Sequence, residues 1–372
     1  MSIVLPSRRD FLTGAAKAAV LGVSGTATLS GVSAFATPPM QSPAALAAEK
    51  LIPYGAAARS DALASDASYR AAIAANCQLI VPESELRWTE LRPARDQYRF
   101  EKADAILDFA QQTGIEVRGH ALAWYGAMPA WTDAIASRAE AERELTNHIA
   151  TVMGRYRGAI ASWNVVNEPL AYWPEDEASF RPSIWTSRLR GDYLPIALRA
   201  AAAADPDARL VLNESDIEFR GPRFVARRHA LIRLLRSLRD RDVPLHAVGL
   251  QAHLFADRAI DRDGLQSLLA EIEKLKLDVL ITELDVIDYE LPGQVSERDA
   301  RVAGIASGFL KTVFEVSYPK AIMTWGLSDR YSWVPTYFKR PDGMPNRPLP
   351  LDAELQRKPL YDVIEEFRRK AV

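Results

Sequence analysis

Two glutamates in this chain stand 115 residues apart, each at the end of a strand-like run of apolar residues. Glu168 closes the segment 161–168, and Glu283 lies in the segment 279–285. A carboxyl group placed where a buried strand gives way to a loop is held rigidly at the mouth of a fold. Two carboxyl groups that face one another are the minimal equipment for cleaving a glycosidic bond. This chemistry therefore requires a fold that brings the two glutamates together.

The segments around these glutamates alternate between two types, which indicates the fold. Short apolar runs predict buried parallel strands at 53–56, 79–81, 115–117, 160–166, 209–212, 247–250, 278–281 and 321–325. Longer amphipathic stretches predict helices at 68–76, 101–112, 138–157, 192–204, 223–239, 263–276, 296–316 and 353–369. Eight strand-helix units favour one α/β domain, a closed (β/α)8 TIM barrel, over an open doubly wound sheet. No glycine-rich phosphate loop follows the first strand, which further weakens a dinucleotide-binding fold.

Polar and aromatic side chains follow the predicted strands at their C-terminal ends. In a strand-helix barrel these ends converge on one shared site. The candidates in chain order are Glu83, Arg87, His120, Trp124, Asn167, Glu168, Asn213, Glu214, Gln251, His253, Glu283, Asp285, Trp325 and Asp329. Any one of them could be a capping residue or a satisfied core polar group. Their occurrence at so many strand ends indicates a common site.

Seven short motifs give the chain a resemblance to a known family. They are Glu83-Ser-Glu-Leu-Arg-Trp88, Gly119-His-Ala-Leu-Ala-Trp124, Trp163-Asn-Val-Val-Asn-Glu168, Leu212-Asn-Glu214, Gln251-Ala-His253, Thr282-Glu-Leu-Asp285 and Trp325-Gly-Leu-Ser-Asp329, the last continuing through Tyr331-Ser-Trp333. In this order and at this spacing they resemble the retaining endo-xylanases of glycoside hydrolase family 10. The resemblance implies a strand-helix barrel at 51–372, with Glu168 as general acid/base and Glu283 as nucleophile.

The chemistry of two close carboxyl groups agrees with those roles. Retaining glycosidases hold them about 5–5.5 Å apart, so the two cannot easily both ionise, and one pKa rises. The resemblance further implies that Asn167 binds the sugar 2-hydroxyl and that Gln251 partners the acid/base. By the same resemblance, His253 and Asp285 hold the nucleophile. The remaining implied substrate contacts are Glu83, Arg87, His120, Trp124, Tyr125, Asn213, Trp325 and Trp333. No cofactor and no metal are implied, and five histidines without a His-x-His pattern argue against a metal site.

The chain departs from the family pattern near the expected cleft. Ser84 and Arg87 stand where the family has asparagine and lysine, and Arg is planar and forked rather than a point charge. Tyr125 stands where the family has the histidine that touches the cleaved sugar, and Glu214 replaces an aspartate. These changes leave a second hypothesis open, in which the same mechanism acts on another β-glycan or a decorated oligosaccharide. A third hypothesis is a carbohydrate-binding protein without catalysis.

Composition narrows the partners. The chain has 372 residues, a formal net charge of −2 and one cysteine, Cys77. No cluster of basic residues in the sequence indicates binding to nucleic acid or to a membrane surface. A single cysteine cannot form an internal disulfide. A monomer acting on a polysaccharide or oligosaccharide, with xylan as the expected one, is the simplest expectation. The charge run Arg227-Arg228 and the run 365–370 are predicted to be solvated helix faces.

The first residues predict an export signal rather than part of the fold. Ser7-Arg-Arg-Asp-Phe-Leu12 is a twin-arginine pattern, a weakly apolar stretch follows to about residue 35, and Ala34-Phe35-Ala36 fits a cleavage site. We therefore expect a signal peptide at 1–36 and a flexible lead-in at 37–50. The protein would then be periplasmic or secreted.

Overall fold

A computed structural model describes residues 51–174 and 179–371 of the chain. The predicted signal peptide at 1–36 and the lead-in at 37–50 lie outside the described residues. Within the described ranges, no helix combines the length and the apolar character needed to cross a membrane.

Parallel strands form the centre of the molecule. They are β1 (Tyr54–Ala58), β2 (Leu79–Pro82), β3 (Glu116–Ala123), β4 (Ile160–Asn167), β5 (Arg209–Glu214), β6 (Ala247–Leu250), β7 (His253–Phe255), β8 (Asp278–Ile287) and β9 (Ile322–Thr324). The pairing order is β6-β5-β4-β3-β2-β1-β9-β8, and a parallel β6–β8 pairing closes the circle. These eight strands confirm the predicted (β/α)8 barrel. The short strand β7 pairs with the far end of β8.

Helices surround this barrel. They are α1 (Ser60–Ser65), α2 (Ala67–Asn76), α3 (Trp88–Leu91), α4 (Glu101–Thr113), α5 (Arg138–Arg155), α6 (Ile184–Leu189), α7 (Tyr193–Ala204), α8 (Pro222–Asp240), α9 (Arg262–Lys274), α10 (Val295–Phe314), α11 (Val334–Tyr337) and α12 (Pro359–Arg368). Short 3-10 helices are Ala130–Ala134, Arg190–Asp192, Asp329–Tyr331 and Arg369–Ala371. Side-chain caps define several helix starts; Ser137, for example, accepts from the Glu140 amide at the start of α5.

Two apolar clusters stabilise the barrel. The smaller one is formed by residues in or next to the strands: Ala57, Leu79, Val81, Val211, Ala247, Leu280, Ala321, Met323 and Trp325. A much larger apolar cluster packs between the strands and the helices. Polar side chains such as Asn167, Asn213 and Glu214 lie instead at the C-terminal ends of the strands, where barrel enzymes carry their functional residues.

Three predicted boundaries differ from the structure by more than two residues. Strands β3 and β8 were expected to end at 117 and 281, but they continue to Ala123 and Ile287. Their added residues include buried polar groups, which resemble loop residues in sequence but here find partners inside the barrel. The last helix begins at Pro359 rather than at 353, since Lys358 is extended (ψ 165°) and proline occupies the first helical turn.

The prediction of solvated charge runs is also wrong in part. Arg227 is fully buried, and its Nη2 lies 2.7 Å from Oε1 of Glu214, which is equally buried. Arg228 is buried against Asp261 in the same way. In the run 365–370, Arg368 is buried and donates to the Ile52 carbonyl. Sequence periodicity missed these residues because their acidic or carbonyl partners lie on other elements.

Arg227→Ala is expected to destabilise the fold by about 3–5 kcal/mol, because it leaves the Glu214 carboxylate buried without its cation. The measurement is the free energy of unfolding in urea. Arg236→Ala, on the same helix α8, breaks an exposed pair with Glu271 and is the matched control. We expect the control to lose no more than about 1 kcal/mol. Equal losses in the two variants would contradict the assignment of Arg227 as a buried structural cation.

Candidate active site

The two glutamates are presented by two different irregularities of the backbone. Glu168 directly follows β4 and has a left-handed conformation with φ 49°. Such a conformation is costly for a non-glycine residue and is concentrated at functional sites. Glu283 lies within β8, where the pairing with β9 shifts register between Ile281 and Leu284. A bulge of this kind re-aims side chains, and Thr282 and Glu283 both reach Asn213 as a result.

A chain of side-chain amides connects the two carboxyl groups. Gln251 Nε2 donates to Glu168 Oε1 at 3.1 Å and to Asn167 Oδ1 at 3.3 Å. Asn213 Nδ2 donates to the same Asn167 oxygen at 2.8 Å and to Glu283 Oε1 at 2.6 Å. Gln251 and Asn213 therefore share one acceptor, Asn167 Oδ1, and the structure brings these five predicted site residues together.

The other oxygen of Glu283 faces a histidine. Glu283 Oε2 lies 3.1 Å from His253 Nε2, and His253 Nδ1 lies 2.9 Å from Asp285 Oδ1. Trp333 Nε1 donates to the second Asp285 oxygen at 2.7 Å. Burial opposes a charged imidazole, but the carboxylates of Asp285 and Glu283 outweigh it and raise the pKa of His253 to about 10. His253 is therefore an imidazolium at neutral pH, and it donates from Nε2 to Glu283 Oε2.

His120, by contrast, is neutral. Arg118 donates to Asn164 Oδ1, so the Asn164 amide nitrogen donates to His120 Nδ1 at 2.9 Å. The proton of the imidazole therefore resides on Nε2. Burial lowers the pKa of His120 to about 4, against the opposing effect of Glu283. Although His120 Nδ1 lies 3.9 Å from Glu283 Oε1, the contact is not an ion pair near neutral pH.

Two tryptophans wall this group of residues. The ring of Trp325 lies 5.0 Å from that of His120 and 6.5 Å from that of His253, measured between centroids. The Trp333 ring lies 5.0 Å from that of His253. Apolar aromatic faces beside hydrogen-bonding groups suit the C–H faces of a pyranose ring.

Predicted site residues after β2 and β3 interact with one another. The Arg87 guanidinium lies 5.3 Å from the Trp124 ring centroid. Burial raises the pKa of Glu83 to about 7, although the charges of Arg87 and Arg59 oppose it. Trp88 is not a sugar platform: it is buried and stacks on the ring of His148 at 3.7 Å.

Tyr125 contacts the site through an arginine that was not among the predicted residues. Arg181 Nη1 donates to the Tyr125 hydroxyl at 3.2 Å, and the guanidinium carbon lies 4.6 Å from the centre of the tyrosine ring. Arg181 Nη2 lies 3.6 Å from Glu168 Oε2. A cation therefore faces one of the two glutamates.

Comparison with known protein families matches residues 42–367 to glycosyl hydrolase family 10. The chain belongs to this family.

Relatives of known activity support the same family. An endo-1,4-beta-xylanase A from Phanerodontia chrysosporium is 33% identical over 303 residues, covering 81% of this chain and 70% of the relative. An endo-1,4-beta-xylanase B from Thermotoga neapolitana is 31% identical over 290 residues, covering 78% of this chain and 80% of the relative. The solved structure of xylanase 10B from Thermotoga petrophila RKU-1 with xylobiose superposes with a TM-score of 0.78 at 29% identity, covering 88% and 96% of the two chains. Xylanase 10B from Thermotoga maritima gives 0.78 at 30% identity, covering 87% and 97%.

Four further residues of this family 10 enzyme contact the site without having been predicted: Arg118, Asn164, Arg181 and Thr282. The sequence could have indicated Arg118 and Asn164, because they are polar residues in or next to apolar strand segments and polar groups buried there need partners. Thr282 lies beside Glu283 in the motif Thr282-Glu-Leu-Asp285. No sequence feature indicated Arg181, because it lies in the long loop after β4 with no periodic pattern around it.

Among the residues that the structure describes, no group of three or more His, Cys, Asp or Glu side chains could hold an ion. The site consists instead of carboxyl, amide, imidazole and indole groups that bond to each other.

His253 makes the stability of the enzyme depend on pH. Its folded pKa of about 10 exceeds the unfolded value of about 6.5. Its contribution is therefore complete below about pH 6.5 and is lost as the pH rises toward about 10. We expect His253→Ala to have a lower melting temperature than the parent at about pH 6. The difference in melting temperature between the two proteins should be smaller at about pH 10. Melting temperatures at both values test this, with the exposed His229→Ala as control. A gap that does not shrink would contradict the charged imidazole.

Proposed function

We propose that this enzyme is a retaining endo-1,4-β-xylanase that hydrolyses internal β-1,4 bonds of xylan or xylo-oligosaccharides, with Glu168 as general acid/base and Glu283 as nucleophile. The observation that carries the assignment is the environment of Glu283. Its two oxygens accept from the Asn213 amide and from the His253 imidazolium, so donors on two sides fix the orientation of the carboxyl group. The names of the relatives supply the substrate class.

In the first step, a Glu283 oxygen attacks the anomeric carbon while the protonated Glu168 gives its proton to the glycosidic oxygen. The carbon–oxygen bond breaks, the shortened chain leaves as an alcohol, and the sugar is bound covalently to Glu283. In the second step, the Glu168 carboxylate takes a proton from water, and the water oxygen displaces Glu283 from the same carbon. Two displacements retain the anomeric configuration.

The neighbouring residues support these steps. Asn167 is proposed to bind the sugar 2-hydroxyl, and the Nε2–H of neutral His120 is a donor for the same sugar. Trp325 and Trp333 are proposed to wall that sugar, and Asp285 holds His253 in its charged form. Glu83, Arg87, Trp124 and Tyr125 are proposed as substrate contacts farther along the cleft.

A second candidate keeps this mechanism and changes the sugar. Arg87 stands where the family pattern has lysine, and its guanidinium lies against the ring of Trp124. A guanidinium is planar and forked, and it binds carboxylates in a bidentate manner. An oligosaccharide with acidic decorations is therefore the specific alternative to plain xylan.

The test is incubation of the purified protein with xylohexaose, cellohexaose and glucuronoxylan, followed by chromatography of the products. The xylanase proposal expects short xylo-oligosaccharides from xylohexaose, and none from the Glu283→Ala variant. Intact xylohexaose alongside cleaved glucuronoxylan would favour the decorated substrate. Three intact substrates would refute hydrolysis of these glycans.

We also propose that the protein is exported by the twin-arginine route and acts as a monomer. The motif at Arg8-Arg9 supports export. Changing both arginines to lysine should leave the protein in the cytoplasm, as cell fractionation would show. Export of the double variant would refute the route, and light scattering of the purified protein would test the monomer.

A further inference from the structure

The loop after β4 holds a cation against Glu168. Leu170 bridges to Phe180 across this loop, and the Arg181 amide donates to the Pro169 carbonyl at 2.8 Å, which places Arg181 beside the end of β4. Its guanidinium is fixed on several sides. Nε donates to the Leu170 carbonyl at 3.3 Å, Nη1 donates to the Tyr125 hydroxyl at 3.2 Å, and the tyrosine ring lies against its face. The side chain is only 9% exposed, so solvent screens it weakly.

The oxygen of Glu168 that faces Arg181 is the one that must carry the transferable proton. Oε1 accepts a hydrogen bond from Gln251 Nε2, so the proton of a neutral Glu168 belongs on Oε2. Oε2 is the atom 3.6 Å from Arg181 Nη2. The proton and the guanidinium charge therefore compete for one oxygen. A cation at this distance favours the ionised carboxyl group.

We infer that Arg181, positioned by Tyr125, sets the upper pH limit of hydrolysis by holding a fixed positive charge against the proton-donating oxygen of Glu168. The inference rests on the proposed role of Glu168 as acid/base. Arg181 and Tyr125 are positioning residues, because they act on the reaction through Glu168.

Among the described residues, carboxyl groups on neighbouring strands act on Glu168 in the opposite sense to Arg181. Glu214 on β5 is acidic and interacts electrostatically with Glu168, which favours a protonated Glu168. Glu214 is itself paired with Arg227, which moderates its effect. His120 on β3 is neutral near pH 7. Arg181 is thus the cation of its own loop that offsets these carboxylates at Oε2.

This arrangement also accounts for the tyrosine at position 125. A tyrosine hydroxyl stays neutral up to about pH 10 and can accept from a guanidinium. A histidine at this position could acquire a proton and would then repel Arg181. The substitution of Tyr125 for the family's histidine therefore keeps the cation in place over a wide pH range.

The experiment compares kcat/KM for xylohexaose as a function of pH in the parent, Arg181→Gln and Arg181→Lys. The basic limb of this profile reports the acid of the free enzyme. Arg181→Gln is expected to move the limb upward by about 1 pH unit, and Arg181→Lys by less, because lysine keeps the charge. Tyr125→Phe should shift it in the same direction as Arg181→Gln. Arg220→Gln, an exposed charge in the loop after β5, is the control and should not shift it.

A second measurement separates this inference from the proposed activity. Protein labelled with carbon-13 at the glutamate side-chain carboxyl carbons is titrated by NMR, with Glu168→Gln identifying the signal. The Glu168 midpoint should rise by about 1 pH unit in Arg181→Gln, whether or not xylohexaose is cleaved. If the parent cleaves no glycan but the midpoint moves, the proposed function fails and the electrostatic contact stands. The inference is overturned if a folded Arg181→Gln variant has a lower kcat/KM at every pH while the basic limb of its pH profile and the titration midpoint of Glu168 are unchanged. If Arg181→Gln does not fold, an unchanged limb and midpoint in Tyr125→Phe overturn it.

Discussion

Glu283→Ala is expected to reduce kcat by at least about 10⁴-fold, the largest effect of any single change in this enzyme. The variant has no group that can form the covalent intermediate, whereas the acid, the amides and the tryptophans remain. Addition of azide is expected to restore cleavage of an aryl β-xyloside, because the small anion fits where the carboxylate was and attacks the anomeric carbon. One displacement then gives the α-glycosyl azide, which NMR identifies.

The control for this variant is Glu290→Ala, an exposed glutamate in the loop after β8. It is expected to retain the activity of the parent. Both proteins should show the near-UV circular dichroism of the parent, so that lost activity is not lost folding. A Glu283→Ala protein that keeps more than about a hundredth of the parent activity would exclude Glu283 as the nucleophile.

Glu168→Gln is expected to reduce hydrolysis of xylohexaose by about 10²–10⁴-fold, the usual contribution of a general acid/base. The glutamine keeps the shape of the side chain, and its carbonyl can still accept from Gln251. It has no transferable proton, so a sugar leaving group cannot depart as a neutral alcohol. A dinitrophenyl xyloside needs no such proton, and its first step should proceed at nearly the parent rate.

The signature of this variant is therefore a difference between substrates, which serves as its internal control. Stopped-flow absorbance should show a rapid burst of dinitrophenolate followed by slow turnover, since the second step lacks its base. Azide should now give the β-glycosyl azide, with retained configuration. Equal losses on xylohexaose and on the dinitrophenyl xyloside would argue against Glu168 as acid/base.

The sequence predicts the barrel and most of the central site, because both depend on local patterns. Apolar runs identify the strands, and the motifs around Glu168 and Glu283 place the glutamates at their ends. The extent of β3 and β8 could not be predicted, since polar residues that bond inside a barrel look like the start of a loop. Asn213, for example, bonds Thr282 and Glu283 across strands that are far apart in the chain.

Contacts between distant elements set the limit of that prediction. Arg227 reads as a surface residue on a polar helix, and only the position of β5 shows that Glu214 neutralises it. Arg181 has no pattern of its own, and its contact with Glu168 depends on how the loop after β4 folds back on itself. The motif shows that Tyr125 departs from the family pattern, but it cannot show that Arg181 is the partner of Tyr125.

The strand β8 has a consequence for how such a barrel can diverge. Glu283 lies within a strand that pairs successively with β6, β9 and β7, and its amide donates to the Gln251 carbonyl at 3.0 Å. Glu168, the proposed proton donor, lies instead beside the loop that carries Arg181. Substitutions in that loop can therefore change the acidity of Glu168 while the strand pairing that holds Glu283 stays unchanged. The pH dependence of such a barrel can thus vary independently of its proposed nucleophile.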